Sequence, residues 1–291
     1  MYILDTNALK SISKQELELI CKNNNITISH ITFYELLKHI DETNNGKNFN
    51  NQKGIVLMCK LPRILLDSFT LHAISVGAEK DVKPSKYEET TIIQQLLEKL
   101  EKSNTLEGFY HKHIIYQDGA KFACHDVVQN IKKELEANKS EYSKLLNNIK
   151  SMLIEQRLGK NTTPDFIYNN INMCINHLKT TYIEKDGIHD NDLLSKVYNS
   201  IYIFYGYTII RALECIENGN FNNKEYKIDP NNFEDARIIF HLNLISNDAL
   251  ITNDGGIIKA FKRTIEALKY GQKNTNIRVL NVKGFLSEIS I

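Results

Sequence analysis

The sequence predicts an α/β fold in which a central parallel sheet is built from the two ends of the chain, with a large, mostly α-helical insertion between them. Two patterns across the 291 residues lead there. Within residues 1–60, and again within 226–291, short β-branched or aliphatic runs alternate with apolar stripes of helical period, as in parallel strands joined by helical crossovers. Across 61–225 nearly every apolar pattern is helical. The two flanking pieces together have the size of one compact domain. A hydrophobic content of 42% supplies a core and excludes wholesale disorder.

The elements follow in order. Tyr2-Ile3-Leu4 reads as a buried strand that stops at Asp5-Thr6-Asn7. Ser13 and Glu16 fit a capping box, and Leu17, Ile20 and Cys21 form the apolar face of the helix it opens. Asn23-Asn24-Asn25 breaks that helix, and Ile26-Thr27-Ile28 has the β-branched character of a second strand. Phe33, Leu36, Leu37 and Ile40 then mark a helix for which Thr32 and Glu35 form a capping box. Asp41 to Gly54 is polar and Asn-rich and reads as a loop. In the insertion, Ile92, Ile93, Leu96, Leu97 and Leu100 form one stripe, a long helix runs from Val127 through Leu153, and another spans Leu193 to Ile216 until Asn218-Gly219-Asn220. After Pro230 come a helix from Phe233 to about Leu242, a strand at Ala249-Leu250-Ile251-Thr252 and a helix bearing Ile257, Ile258, Phe261, Ile265 and Leu268. A strand over 277–282 and a short terminal helix end the chain.

Charge narrows the function. Lys plus Arg number 36 against 35 acids, so no whole-chain basic field exists and any anion-binding surface is local. The longest uncharged stretch, Val197 to Ile210, is too short and too rich in Tyr to span a membrane, which needs ~20 apolar residues; no membrane partner is expected. Met1 leads directly into Tyr2-Ile3-Leu4-Asp5, the pattern of a chain without a signal peptide. The five cysteines are scattered and form no C-x-x-C pair, which argues against a disulfide framework or a structural zinc site and fits a reducing cytoplasm.

The informative residues are carboxylates. Asp5 and Asp254 each follow a buried strand, and in an open parallel sheet the carboxyl ends of the strands line the ligand crevice. Glu35 and Asp235 are placed in the first turns of helices that open on the same edge. Each has an ordinary reading as well: Glu35 as half of a capping box, Asp235 as a first-turn acid interchangeable with Glu234, Asp254 as a turn residue, Asp5 as a cap. Four acids converging on one crevice repel one another, at about 1–4 kcal/mol per pair at 4 Å. A hard cation removes that cost, and carboxylate oxygens suit Mg²⁺ or Mn²⁺. The chemistry such a site supports is hydrolysis of a phosphodiester by a metal-activated water.

Leu4-Asp5-Thr6-Asn7, Thr32-Phe33-Tyr34-Glu35-Leu36, Glu234-Asp235-Ala236-Arg237 and Leu250-Ile251-Thr252-Asn253-Asp254 resemble, in order, the four motifs of PIN-domain nucleases. The resemblance covers only the two flanking pieces. It implies a PIN-like three-layer domain and metal-dependent endonuclease activity, usually on RNA. Its metal-binding acids would be Asp5, Glu35, Asp235 and Asp254, with Asn7 and Thr252 nearby, acting with Mg²⁺ or Mn²⁺. The departure is the long stretch between the second and third motifs, which leaves substrate and regulation open.

The insertion carries slightly more acidic than basic side chains and is no obvious nucleic-acid clamp. The segment after Asp254 is different: Lys259, Lys262 and Arg263, followed by Lys269, Lys273, Arg278 and Lys283, face the single acid Glu266. Lys259, Lys262 and Arg263 are therefore the expected contacts to a nucleic-acid backbone, a solvated helix face being the plainer alternative. The sequence supports a metal-dependent endoribonuclease. Its rivals are a DNA or flap-structure nuclease on a similar sheet, and a catalytically dead scaffold whose insertion binds a protein partner or a second copy of the chain. The presence of all four acids favours the enzyme.

Overall fold

A computed structural model of the chain describes residues 1–40, 46–66, 86–156, 162–178, 191–217 and 232–289. The N-terminal part runs β1 (Tyr2–Leu4), α1 (Thr6–Ser11), α2 (Lys14–Asn23), β2 (Ile26–Ser29), α3 (His30–Lys38), α4 (Gly46–Met58) and β3 (Arg63–Leu65). The middle holds α5 (Lys86–Glu101), α6 (Leu106–Tyr110), the antiparallel pair β4 (His113–Ile115) and β5 (Lys121–Ala123), α7 (Cys124–Glu155), α8 (Pro164–Leu178) and α9 (Asn191–Glu217). The chain closes with α10 (Asn232–Ile239), β6 (Ala249–Ile251), α11 (Gly255–Tyr270), β7 (Arg278–Leu280) and α12 (Val282–Glu288).

The main sheet has the order β3-β2-β1-β6-β7, and every pair in it is parallel. β1 is central: Leu4 pairs with Ile28 on one side and with Ile251 on the other. Ile3, Leu4, Ile28, Leu250 and Ile251 are all buried, as expected of parallel strands covered on both faces. The strands read from sequence at both ends of the chain form as expected. So do the long insertion helices and the Ser13–Glu16 capping box, in which Ser13 Oγ accepts from the Glu16 N–H and Glu16 Oε2 from the Ser13 N–H.

Three expectations need correction. The span Asp41 to Gly54 is not loop throughout, because α4 occupies Gly46–Met58. Its Phe49 and Val56 are buried, and packing against α3 and α5 overrides the weak helix propensity of its Asn residues. β3 joins the sheet from within the span read as mostly helical, pairing Ile64 with Ile28, and the same span holds the β4–β5 pair. Third, no capping box forms at Thr32. Ser29, extended at the end of β2, offers its Oγ to the Ile31 N–H at 3.2 Å, so α3 starts at His30 and Thr32 is fully buried inside it.

The insertion is packed into the sheet unit rather than appended to it. α9 lies against α7, α8, α10 and α11. Gly206 permits this: a Cβ there would stand 2.4 Å from Thr264 Cγ2 of α11 and 3.2 Å from Ile171 Cδ1 of α8. Among the described residues no helix is long and apolar enough to cross a membrane. The break at Asn218-Gly219-Asn220 and the boundary at 225/226 lie outside the described residues.

Candidate active site

From β1 the chain moves outward to β2 and β3 on one side of the sheet and only much later to β6 and β7 on the other. The carboxyl ends of β1 and β6 therefore flank the point where strand order reverses, the usual place for a ligand in such sheets. The Asp5 N–H donates to the Ile251 carbonyl at 3.1 Å, which puts Asp5 beside Thr252-Asn253-Asp254.

Each acid is held by its own local device. Asp5 caps α1, its Oδ1 accepting from the Ala8 N–H at 2.6 Å. Asp254 caps α11, its Oδ1 accepting from Gly256 N at 2.7 Å and Ile257 N at 3.0 Å. Thr252, fully buried, lies beside both: its Oγ1 accepts from the Asp254 N–H at 3.0 Å, and its side chain favours the charged form of Asp5. Glu35 lies in the second turn of α3 rather than the first, a consequence of the Ser29 cap, and its Oε2 accepts from Thr6 Oγ1 at 2.5 Å. Asp235 is in the first turn of α10, and its Oδ2 accepts from Tyr207 Oη at 3.3 Å.

Asp5 and Asp235 each lie within electrostatic reach of other acids of the crevice. Burial pushes Asp5 up from 3.8 to about 6; its bonds from Thr252 and Ala8 oppose that, and the charges of Glu35 and Asp254 add to it. Asp235 is raised well above the usual carboxylate range, again by burial first, then by Asp254 and Asp5, with Arg211 opposing and Glu35 adding. Glu234, which the sequence could not separate from Asp235, faces elsewhere: its buried carboxylate receives Lys139 Nζ of α7 at 2.7 Å. Asp229 lies outside the described residues.

The donor set is oxygen-rich and suits a hard cation. Among the described residues, however, no three His, Cys, Asp or Glu side chains are gathered closely enough to hold a metal ion as they stand. The caps use Oδ1 of both Asp5 and Asp254, so capping and ligation can draw on different oxygens. Asn7 is exposed on α1, and its carbonyl accepts from Ser11 Oγ at 2.7 Å.

The expected basic contacts divide. Lys259 and Lys262 are exposed on α11. Arg263 is engaged in a structural tie instead: its Nη2 donates to Glu217 Oε1 at 3.0 Å and to Thr162 Oγ1 at 2.9 Å, fastening α11 to the end of α9. This pair also helps hold Glu217 below its ordinary pKa, against the opposing effect of burial.

Two residues of the crevice were missed by sequence reasoning, and both come from the insertion. Tyr207 and Arg211 project from α9, one turn apart. Arg211 Nη1 donates to Glu214 Oε2 at 2.7 Å, and the guanidinium lowers the pKa of Asp235. It also lies against the start of α11: a Cβ on Gly256 would be 3.4 Å from Arg211 Nη1 and 3.0 Å from Asp254 Oδ1. Nothing in Tyr207-Thr208-Ile209-Ile210-Arg211 marks these residues as functional; the one available signal was an Arg closing the longest uncharged stretch.

No family model, no curated protein and no solved structure matches this chain. Its chemistry is therefore read from the crevice itself: four acids at the reversal point of a parallel sheet, with an arginine and a tyrosine brought to them by the inserted helix α9.

Proposed function

We propose that this crevice binds Mg²⁺ or Mn²⁺ through Asp5, Glu35, Asp235 and Asp254 and hydrolyses phosphodiester bonds, with RNA as the substrate and a PIN-like nuclease as the family. The observation that carries the reading is the convergence of four acids from distant parts of the chain on the sheet's ligand-binding edge, where Asp5 and Asp235 each feel the negative charge of others among them. Such an arrangement costs stability unless a cation is to be bound there. A bound divalent ion supplies a water of lowered pKa and charge stabilisation at the phosphate. The chain's own residues do the rest. The caps on α1 and α11 orient Asp5 and Asp254, Thr252 braces the backbone of Asp254, and Thr6 and Tyr207 fix Glu35 and Asp235.

The test combines cleavage with binding. Single-stranded RNA is expected to be cut in Mg²⁺ or Mn²⁺, leaving a 5′-phosphate, and spared in EDTA. Asp5→Asn is expected to abolish cutting, and Mn²⁺ to raise the melting temperature of the wild type alone. A folded wild type that cuts neither RNA nor DNA and gains no thermal stability from divalent ions refutes the nuclease. Recovery of a protein partner held by the helical insertion would then establish the scaffold.

A further inference from the structure

We propose that the lysine-lined hollow between the end of α5 and the β4–β5 hairpin binds the sugar–phosphate backbone of a single nucleic-acid strand, as a contact of the insertion separate from the acidic crevice. The inference shares its ligand with the nuclease reading but requires no metal.

The insertion as a whole carries a slight excess of acid, yet the fold gathers bases at one place. Among the described residues the hollow, of about 410 Å³, is lined by Lys99, Lys102, Lys112, His113, Ile115 and Lys121, with no acid. Two devices fix its walls. Lys112 Nζ donates to the Lys99 and Lys102 carbonyls at 3.2 and 2.5 Å, closing the C-terminal end of α5. Gln95 brackets Ile115, its Nε2 donating to the Ile115 carbonyl at 2.8 Å and its Oε1 accepting from the Ile115 N–H at 2.9 Å. Lys112 thus offsets the negative end of the helix dipole. Lys99, Lys102 and Lys121 have no acid within ion-pair distance among the described residues. The neighbouring acids are turned elsewhere: Glu101 to Lys60 at 2.8 Å, Glu98 to the separate hollow beside β3, and Asp118 to the Ala120 N–H in the hairpin turn.

Shape and chemistry select a chain of phosphates. Lys102, His113, Ile115 and Lys121 are exposed, so the hollow is an open trough that leaves a single compact anion hydrated. Lys99 and Lys102, three residues apart at the end of α5, stand about 5–6 Å apart at Cβ, and Lys121 lies opposite Ile115 on the hairpin, a spread suited to successive phosphates. Ile115, 49% exposed in the same trough, offers an apolar surface that a base or ribose uses and an inorganic polyphosphate does not. An anionic lipid surface matches less well. It calls for a one-sided apolar face, whereas alternation along the hairpin puts Phe122 on the face opposite Ile115. At ~1.5 Å per residue, Lys139, which reaches Glu234 beside Asp235, stands about 22 Å along α7 from Cys124, where the hairpin ends. Trough and crevice are therefore distinct contacts.

The test is fluorescence anisotropy of a labelled single-stranded RNA with the full chain in EDTA, which keeps metal out of the measurement. Lys102→Gln combined with Lys121→Gln is expected to weaken binding about 2- to 30-fold and to reduce the salt slope by about 1.4. Lys22→Gln combined with Lys144→Gln removes the same charge from exposed positions elsewhere and is expected to stay close to wild type in both. Ile115→Ser is expected to weaken RNA binding without changing competition by tripolyphosphate. Equal RNA binding by the two double variants, no RNA binding by the wild type, or sedimentation with phosphatidylserine vesicles in place of RNA binding each overturns the proposal; RNA binding unchanged in Ile115→Ser overturns the choice of a nucleic acid over a bare polyanion. RNA that binds through the trough but is never cut in Mn²⁺ refutes the nuclease reading alone, and RNA that is cut while the two double variants bind it alike refutes the trough alone.

Discussion

Replacing Asp5 by Asn should stabilise the metal-free protein, and the gain should depend on pH. Asn is as good an N-cap as Asp, so the bond from the Ala8 N–H survives and the substitution removes only the charge. In the fold that carboxyl titrates at about 6, against 3.8 when unperturbed. A raised carboxyl pKa means that the folded state binds the proton more tightly than the unfolded state. The resulting destabilisation is absent below about pH 4, grows between 4 and 6, and is complete above 6. A difference of roughly two pH units corresponds to about 3 kcal/mol at most. Since Asp5 is only 4% exposed, little of this is lost to solvent screening. At about 2–4 °C per kcal/mol for a chain of this size, the gain in melting temperature near pH 7 is expected to reach at most about 6–12 °C. His30 tilts the wild-type profile the other way. Burial, helped by the charge of Arg237, holds its pKa near 3, so unfolding is favoured as pH falls below 6.5. That slope is common to both proteins and cancels in their difference. Thermal melts of both in EDTA, from about pH 4 to 7.5, test the argument. A variant less stable than wild type at neutral pH, or an offset that does not change with pH, would show that the Asp5 charge is not penalised by its surroundings.

Other substitutions probe what positions the site. Lys139→Met leaves the Glu234 carboxylate buried without its 2.7 Å partner and should cost about 3–5 kcal/mol; adding Glu234→Leu should recover most of it in a double-mutant cycle read by denaturant unfolding. Gly206→Ala drives a methyl into Thr264 and Ile171 and should destabilise by about 1–3 kcal/mol, whereas Gly54→Ala, on the exposed side of α4 with open space around it, should stabilise by about 0.5–1 kcal/mol. Melting temperatures that move together in the two glycine variants would contradict the packing described at Gly206.

The acids were legible because each follows a signal of strong local origin: Asp5 and Asp254 end aliphatic strands, and Asp235 opens a helix. The depth of Glu35 in its helix was not, because two hydroxyl residues, Ser29 and Thr32, compete for the cap. The choice is made by the end of β2, where Ser29 is extended and Thr32 is already enclosed. α4 was obscured by Asn residues whose weak propensity is overcome by contacts with α3 and α5. Arg211 was hidden for another reason. Its significance depends on α9 crossing the start of α11, a long-range packing relation with no local signature. Arg263 shows the converse: a basic residue in a basic run that the fold uses to join two helices.

The central position of β1 has a consequence for synthesis. Its two neighbours are made at very different times: β2 follows within a few turns of chain, whereas β6 is more than two hundred residues away. At about 5–20 residues per second, the nascent chain spends on the order of 10–40 s with the second edge of β1 unpaired. Its row of backbone donors and acceptors is then open to any other strand. Protection falls to the polar flanks of a strand only three residues long. The same delay keeps the acidic crevice incomplete until both β6 and α9 have been made. The hydrolytic activity proposed for the crevice would, on that reading, remain latent during translation and appear only when β6 and α9 dock.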